Sequence, residues 1–249
     1  MSEPSQTSPL FERNHRAFLM RKLHSLSGVV PVGGFMVFHL WTNAKATQGQ
    51  ASFDGAVRDI SHMPFVTVIE FAVILLPLLF HTLYGIWIAI NGKPNVGRYT
   101  FSRNWMYTLQ RVSGLIAAVF IVLHLKDFWW PKMTGTMAPE QFYPKLCEAM
   151  SATKAGVPLM ALWYVFGIAA CSFHFANGLW GFCFSWGITV SRRSQRMAAT
   201  VFGVLGVAIF FLGANTAIYF ATGESVPDMF KRAVSGEALQ RHGCKDGVI

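Results

Sequence analysis

The sequence predicts an all-α integral membrane protein in which five transmembrane helices form a bundle. Of its 249 residues, 53% are hydrophobic and only 13% are charged. The apolar residues are concentrated in five segments, each near or above the ~20 residues that a helix needs to cross the hydrocarbon core. These segments are dense in Phe, Leu, Ile, Val and Gly, a composition more typical of transmembrane helices than of the shorter core helices of soluble proteins.

The predicted spans follow one another with short polar connections. They cover residues 23–44, 65–91, 105–125, 157–190 and 197–222. We expect a membrane domain at 21–222, preceded by an N-terminal arm at 1–20 and followed by a polar tail at 223–249 that includes a short surface helix. No A-x-A-like cleavage site follows the first span, so we expect it to be retained and not removed as a signal peptide.

Charges in the connections predict the orientation of the bundle. Connections 92–104 and 191–196 carry Lys and Arg without any acidic residue, whereas connections 45–63 and 126–156 mix both signs. Basic short loops face the cytoplasm. The N-terminus is therefore predicted to be cytoplasmic and the C-terminus to be outside. Because the basic residues bracket helix ends instead of forming a stripe, the formal charge of +9 does not indicate nucleic-acid binding.

Proline and cysteine add smaller signals. Pro31 and Pro77 fall inside the first two spans and are expected to free backbone carbonyls and kink the helices. Cys147 and Cys244 lie in segments that share the predicted outer side. An oxidising compartment could join them in a disulfide, but free thiols are our expectation. No C-x-x-C-H motif is present, so any haem is expected to be held without thioether links.

The motif F-H-x-x-x-G-x-W occurs at 80–87 and again at 173–180. It places His81 and His174 inside apolar spans, where an ionisable side chain is expensive and indicates a functional site. Gly85 and Gly178 follow one helical turn later on the same face, where the missing side chain leaves room for a flat group such as a porphyrin. The spans that carry the motif are therefore candidate counterparts of each other.

The first and third spans are related in the same way. Each has a Ser-Gly pair near its predicted inner end and a histidine, His39 or His124, near its outer end. At about 1.5 Å per residue, His39 lies about 23 Å from the inner face, and His124 lies at a similar level. His81 and His174 lie deeper toward the cytoplasm. A repeated helix pair is a common way to build a pseudosymmetric membrane site. The alternative is that the similarity arose by convergence, because membrane helices draw on the same few residue types.

Two imidazoles on opposite faces of a haem fill both axial positions of the iron, which leaves an electron-transfer centre with no open site. The matched depths predict two such centres, one held by His81 and His174 and one held by His39 and His124. For any single histidine, the alternative is a core residue that forms a hydrogen bond with a neighbouring helix.

Three further residues are candidates with two interpretations each. His24 lies at the inner interface, where a headgroup or partner contact is favoured over a haem propionate contact. Arg111 either pairs with an inner haem propionate or snorkels to the interface. Glu70 lies about three turns before His81, level with the outer pair. It either relays protons to a quinone or is an interfacial acid or the partner of an arginine.

From about residue 21 to residue 218 the chain resembles the cytochrome b membrane-anchor subunits of succinate:quinone oxidoreductases, in their five-helix, two-haem, single-chain form. The motifs that carry the resemblance are R-K-L-H-S at 21–25, F-H-L at 38–40, F-H with Y-G at 80–85, R-N-W-M with L-Q-R at 103–111, F-H-F with N-G-L-W at 173–180 and R-R-S-Q-R at 192–196. Some members carry an acid two residues before the fourth histidine. Here that residue is Ser172, which weakens any claim of a dedicated proton path.

The resemblance implies two non-covalent haems b with the pairing given above. It also implies a flavoprotein subunit and an iron-sulfur subunit on the cytoplasmic side, a bacterial inner membrane, a quinone acceptor that is usually menaquinone, and no succinate chemistry in this chain itself. A higher oligomer of the complex is compatible with it. Two rivals remain: the cytochrome b anchor of a formate dehydrogenase or hydrogenase, and a haem-free transporter or structural anchor with a histidine-lined path.

Overall fold

A computed structural model of the chain describes residues 9–92, 96–97, 101–235 and 244, without the side chains of residues 9–13. Residues 1–8 of the predicted arm, the turn expected at 93–95 and most of the tail beyond residue 235 lie outside the described residues. Among the described residues the α- and π-helical segments are α1 (Pro9–Ser27, Gly28–Gly33 and Gly34–Asn43), α2 (Gln50–Ser61), α3 (Val66–Val68, Ile69–Leu75 and Leu76–Asn91), α4 (Ser102–His124, Leu125–Trp129 and Trp130–Met133), α5 (Phe142–Ser151), α6 (Leu159–Ser185), α7 (Arg192–Thr222) and α8 (Val226–Ser235). Two short 3-10 helices, Ala44–Gln48 and Pro139–Gln141, lie in the connections.

Five of these helices, α1, α3, α4, α6 and α7, are long and apolar enough to cross a membrane, which confirms the predicted fold class. Helix α1 begins at Pro9, so part of the predicted arm at 1–20 is helical and continuous with the first span. Its first turns are rich in Leu, Arg, Met and Lys, which are good helix formers, and Pro is favoured in the first helical turn. A hydropathy criterion finds only the apolar part of such a helix and misses the polar extension.

Three π-helical segments lie at or just before prolines. Gly28–Gly33 contains Pro31, Ile69–Leu75 ends two residues before Pro77, and Leu125–Trp129 ends two residues before Pro131. A proline removes a backbone donor and crowds the preceding turn, and a wider π turn accommodates the change. The disturbance expected at Pro31 and Pro77 is therefore present, and it takes this form.

Consecutive spans run antiparallel, and small residues let them approach closely. A Cβ atom added at Gly167 of α6 would lie 2.2 Å from the Phe120 ring of α4. One added at Gly206 of α7 would lie 2.6 Å from the Cβ atom of Ala176 on α6. Such glycine contacts are how transmembrane helices gain packing energy where lipid offers no hydrophobic driving force. Helices α1, α3, α4 and α6 contact one another around the bundle centre, and α7 packs on α6 and α1.

One end of the bundle is closed by a compact apolar cluster. Phe53 of α2, Tyr143 of α5 and Phe220 of α7 meet with ring centroids 5.4–5.9 Å apart. Burial raises the pKa of the Tyr143 phenol, whose oxygen lies 3.4 Å from that of Tyr219, so the group stays neutral. We call this end the disulfide end. The opposite end, where Arg103 and Arg192 lie near the starts of α4 and α7, is called the arginine end.

Cys147 and Cys244 form a disulfide at the disulfide end. The expectation of free thiols was therefore wrong for this pair, whereas Cys171 and Cys183 are free. The two bonded residues are separated by 97 positions in the chain. No local pattern shows that the tail turns back onto α5, so the pairing depends on the tertiary structure.

Candidate functional site

Two histidines from different helices face each other in the half of the bundle nearer the arginine end. The ring centroids of His81 on α3 and His174 on α6 are 6.1 Å apart, with the ring planes at 84°. The Nδ1 atom of His81 lies 2.9 Å from the carbonyl oxygen of His24, and that of His174 lies 3.0 Å from the carbonyl oxygen of Gln110. A carbonyl can only accept, so Nδ1 carries the proton, and in the neutral ring Nε2 keeps its lone pair.

A second pair lies toward the disulfide end. The ring centroids of His39 on α1 and His124 on α4 are 5.7 Å apart, at 76°. The Nδ1 atom of His124 lies 3.1 Å from the hydroxyl oxygen of Tyr164 on α6. Both ring nitrogens of His39 lie 3.4 Å from the amide nitrogen of Asn43. The four histidines thus come together in the two combinations that the helix-depth estimate paired.

Glycines make room for the pair nearer the arginine end. A Cβ atom added at Gly28 would lie 2.2 Å from Cε1 of His81, and one added at Gly114 would lie 2.7 Å from Cε1 of His174. The two glycines of the repeated motif face other side chains. A Cβ atom at Gly85 would meet His24 at 3.1 Å, and one at Gly178 would meet the Gln110 amide at 3.3 Å. All four positions line the same cavity.

That cavity has a volume of about 580 Å³ and is lined mainly by apolar side chains and glycines. Its size lies in the range of cofactor pockets. It extends from His24 to Met36 and Ile121, one turn from His39 and His124. Arg111 lies at its wall, with Nε and Nη1 buried and without a hydrogen-bond partner, while Nη2 donates to the Tyr107 hydroxyl. The guanidinium carbon also lies 3.6 Å from the centroid of the Tyr107 ring. Two buried guanidinium nitrogens without a partner are costly and favour a carboxylate ligand.

The distance between the ring centres of each histidine pair matches that of two imidazoles with a metal between them. With metal–nitrogen distances of about 2.0 Å on opposite sides, two ring centres lie roughly 6 Å apart. Both observed separations, 6.1 Å and 5.7 Å, are close to that value. Within the described residues, no group of three or more His, Cys, Asp or Glu side chains could hold a metal ion by itself. Two imidazoles suit a metal whose remaining ligands come from a macrocycle.

His24 contacts the histidine pair nearer the arginine end. Its ring stacks on that of His81, with centroids 4.1 Å apart and planes at 11°, and it lines the cavity. Its Nδ1 atom is buried and has no hydrogen-bond partner. The headgroup or partner contact favoured for His24 and the alternative haem propionate contact both stay predictions.

Glu70 forms an ion pair with Lys132, which follows the π segment of α4. An ion pair is among the alternatives predicted for Glu70, but its partner is a lysine and not the expected arginine. Its side chain is 17% exposed. Ser172, which replaces the acid of some related chains, is 2% exposed, and its hydroxyl has no hydrogen-bond partner.

Sequence reasoning missed the residues that support the histidines. The backbone carbonyl of Gln110 accepts a hydrogen bond from Nδ1 of His174. The side-chain amide of Gln110 donates to the His174 carbonyl and accepts a hydrogen bond from the Asn177 amide. Gly28 and Gly114 were seen only as part of a repeated Ser-Gly pair and were not assigned to the site. The repeated pair was the available signal, because a residue that recurs at the same depth in two counterpart helices is expected to have the same structural role in both. No sequence signal marks Tyr164.

Comparisons with known proteins show the family of the chain. Residues 89–214 match the family described as succinate dehydrogenase/fumarate reductase transmembrane subunit. The chain is also 37% identical over 206 residues to the succinate dehydrogenase cytochrome b558 subunit of Bacillus subtilis (strain 168), covering 83% of this chain and 98% of that protein. No solved structure matches the chain. A match of this extent shows that the chain belongs to the family of membrane-spanning cytochrome b subunits of succinate dehydrogenases and fumarate reductases.

Proposed function

We propose that this chain is a dihaem membrane anchor that passes electrons between the iron-sulfur subunit of a succinate dehydrogenase or fumarate reductase and a membrane quinone, with menaquinone as the expected quinone. One haem b is assigned to His81 and His174, and the other to His39 and His124. When bound, each haem supplies a one-electron carrier with both axial positions filled. The soluble flavoprotein subunit, and not this chain, is assigned the succinate chemistry.

The observation that carries the proposal is the convergence of four histidines from four helices into two pairs at two depths. A histidine retained only as a hydrogen-bonded core residue has no reason to place a second imidazole about 6 Å away, and here the arrangement occurs twice. Because α1 and α4 supply one pair and α3 and α6 the other, the ligation joins all four inner helices.

The surrounding residues prepare the imidazoles for this role. The carbonyl groups of residues 24 and 110 accept hydrogen bonds from Nδ1 of His81 and His174, which fixes the tautomer and leaves Nε2 with its lone pair. Arg111 supplies a cation for a propionate group at the cavity wall. Apolar side chains form most of the remaining cavity wall.

The orientation and partners follow from charge and family. We assign the arginine end to the cytoplasm, where the flavoprotein and iron-sulfur subunits dock, and the disulfide end to the outer face of a bacterial inner membrane. The positive-inside bias supports this orientation, and a disulfide is compatible with an oxidising outer compartment. Glu70, at the level of the outer pair, is assigned a role in quinone protonation. The anchor of a formate dehydrogenase or hydrogenase is set aside because of the family match.

A reduced-minus-oxidised absorption spectrum of the purified complex, combined with a redox titration, tests the proposal. We expect two b-type components with separate midpoint potentials and a haem-to-chain ratio of two. Covalent flavin and succinate-dependent haem reduction should copurify with the chain. A spectrum without b-type bands, or a single component at a ratio of one, would refute the dihaem assignment.

A further inference from the structure

A second cavity lies on the outside of the histidine bundle, between α4, α6 and α7. It has a volume of about 1010 Å³. It borders the histidine cavity, and both are lined by Arg103, Met106, Asn177, Trp180 and Gln195. Its lining changes along its length. Three arginines stand at its mouth, at the arginine end, and small and apolar residues follow toward the middle of the bundle. We call this cavity the lateral groove.

The mouth of the groove carries an uncompensated positive charge. Arg103 comes from α4, and Arg192 and Arg196 come from the first turns of α7. Among the ion pairs of the described residues, none includes any of these three arginines. Helices α4 and α7 both begin here, so their positive dipole ends add to the charge, and cations at a helix N-terminus are unfavourable. An anion at this position would relieve the repulsion.

Arg103 is held in place by neutral partners. Its guanidinium donates to the side-chain oxygen of Gln195, a residue only 7% exposed, and lies 6.0 Å from the Trp180 ring centroid. The amide nitrogen of Gln195 donates to the carbonyls of Thr189 and Val190, and Trp180 donates to the Gln195 carbonyl. The cation is therefore oriented by a buried network that leaves its charge unneutralised.

The inner part of the groove has the dimensions and polarity of an acyl chain path. A furrow here is lined by small residues, among them Ala199 and Gly203 of α7 and Ala169 of α6, and by the close contact of Gly206 with Ala176. Gly203 lies about 16 Å along α7 from Arg192. This distance is close to half of the ~30 Å hydrocarbon thickness, which is the reach of one leaflet. A Cβ atom at Gly203 would meet nothing within 4 Å.

From these features we propose that the lateral groove binds an anionic phospholipid of the leaflet at the arginine end, with the phosphate between Arg103, Arg192 and Arg196 and an acyl chain along Gly203. Basic pockets between membrane helices recognise anionic headgroups. The positive-inside bias explains why arginines lie at this end. It does not explain why arginines from two separate helices converge on the mouth of one apolar furrow.

Native mass spectrometry of the whole complex, exchanged into nanodiscs of phosphatidylglycerol and phosphatidylethanolamine in equal amounts, tests the proposal. The wild-type complex should retain a phosphatidylglycerol molecule through mild activation. The double variant Arg192→Gln/Arg196→Gln should lose about tenfold or more of this retention. Arg193→Gln is the matched control, because Arg193 neighbours both positions but does not line the groove, and it should behave as wild type.

A second pair of variants tests the furrow without changing charge. Gly203→Leu should displace the lipid, because the new side chain enters open space in the groove, whereas Gly34→Leu, also facing open space but on α1, should not. Equal retention of both lipids by the wild type, or retention unchanged in the double variant, would overturn the proposal. The proposal would also be overturned if the molecule that Gly203→Leu displaces were a quinone and not a phospholipid.

Discussion

The Nδ1 atom of His81 lies 2.9 Å from the backbone carbonyl oxygen of His24. The counterpart helices repeat this contact, because Nδ1 of His174 lies 3.0 Å from the carbonyl oxygen of Gln110. In each case the accepting residue stands one turn before the glycine that the histidine ring covers, Gly28 or Gly114. The internal similarity of the sequence therefore corresponds to a contact that occurs twice. In each case one helix offers a backbone carbonyl and a glycine to the imidazole of the neighbouring helix.

The four histidines should sort into two spectral classes when they are replaced one at a time. His81→Ala and His174→Ala should each remove the same b-type component, and His39→Ala and His124→Ala should each remove the other, because one iron needs both imidazoles of its pair. Redox-titrated difference spectra of the purified complex measure this. His62→Ala, in a connection, is the control and should keep both components. Loss of one and the same component in His39→Ala and His81→Ala would show that the pairing is wrong.

Gly28 should not tolerate even a methyl group. In Gly28→Ala the new carbon meets Cε1 of His81 at 2.2 Å, and such overpacking costs about 1–3 kcal/mol. We expect a lower content of the haem assigned to His81 and His174 and a lower melting temperature. Gly34→Ala, on the same helix but facing open space, should be neutral or stabilising, since Ala favours helix over Gly by about 1 kcal/mol. Equal haem content in both variants would contradict the prediction.

Arg111→Gln should lower the midpoint potential of the haem nearer the arginine end. Removing a cation beside a haem disfavours the reduced state, which carries one more negative charge. We expect a shift on the order of tens of millivolts, given that about 59 mV corresponds to a tenfold change in a one-electron equilibrium. The second haem serves as the internal reference in the same titration. An unchanged potential with normal haem content would indicate that Arg111 only snorkels to the interface.

Glu70→Gln should reduce quinone-linked turnover while leaving both haems in place. A carboxyl group can carry a proton that the amide cannot. Lys132→Gln separates this role from a structural one, because it breaks the same ion pair but keeps the carboxyl group. If the pair matters only for stability, the two variants should lose turnover and melting temperature together. A selective loss of turnover in Glu70→Gln is the expected result.

The disulfide should be detectable by thiol counting. In denaturant without reductant, two thiols, those of Cys171 and Cys183, should react with an alkylating reagent, and four should react after reduction. Cys147→Ser should destabilise the disulfide end by up to about 4–5 kcal/mol, since the bond closes a long loop. Cys183→Ser is the control and should leave thermal stability near that of the wild type. Four reactive thiols before reduction would contradict the pairing.

Much of the site follows from the order of residues along each helix. A helix rises a fixed distance per residue, so the depth of His39, His81, His124 and His174 could be calculated once the spans were recognised. The supporting residues could not be found this way. Gln110 and Tyr164 contact a histidine of another helix, and the rotation of one helix against another depends on which side chains interlock.

The sequence by itself determined the five membrane helices, the two depths and the membership of each histidine pair, because all three depend on local composition and on the regular rise of a helix. Only the tertiary structure decided that His24 stacks on His81, that Glu70 pairs with Lys132, and that Cys147 bonds to Cys244. Each of these contacts joins residues distant in the chain. Their approach depends on how helices rotate and pack, which no single helix encodes.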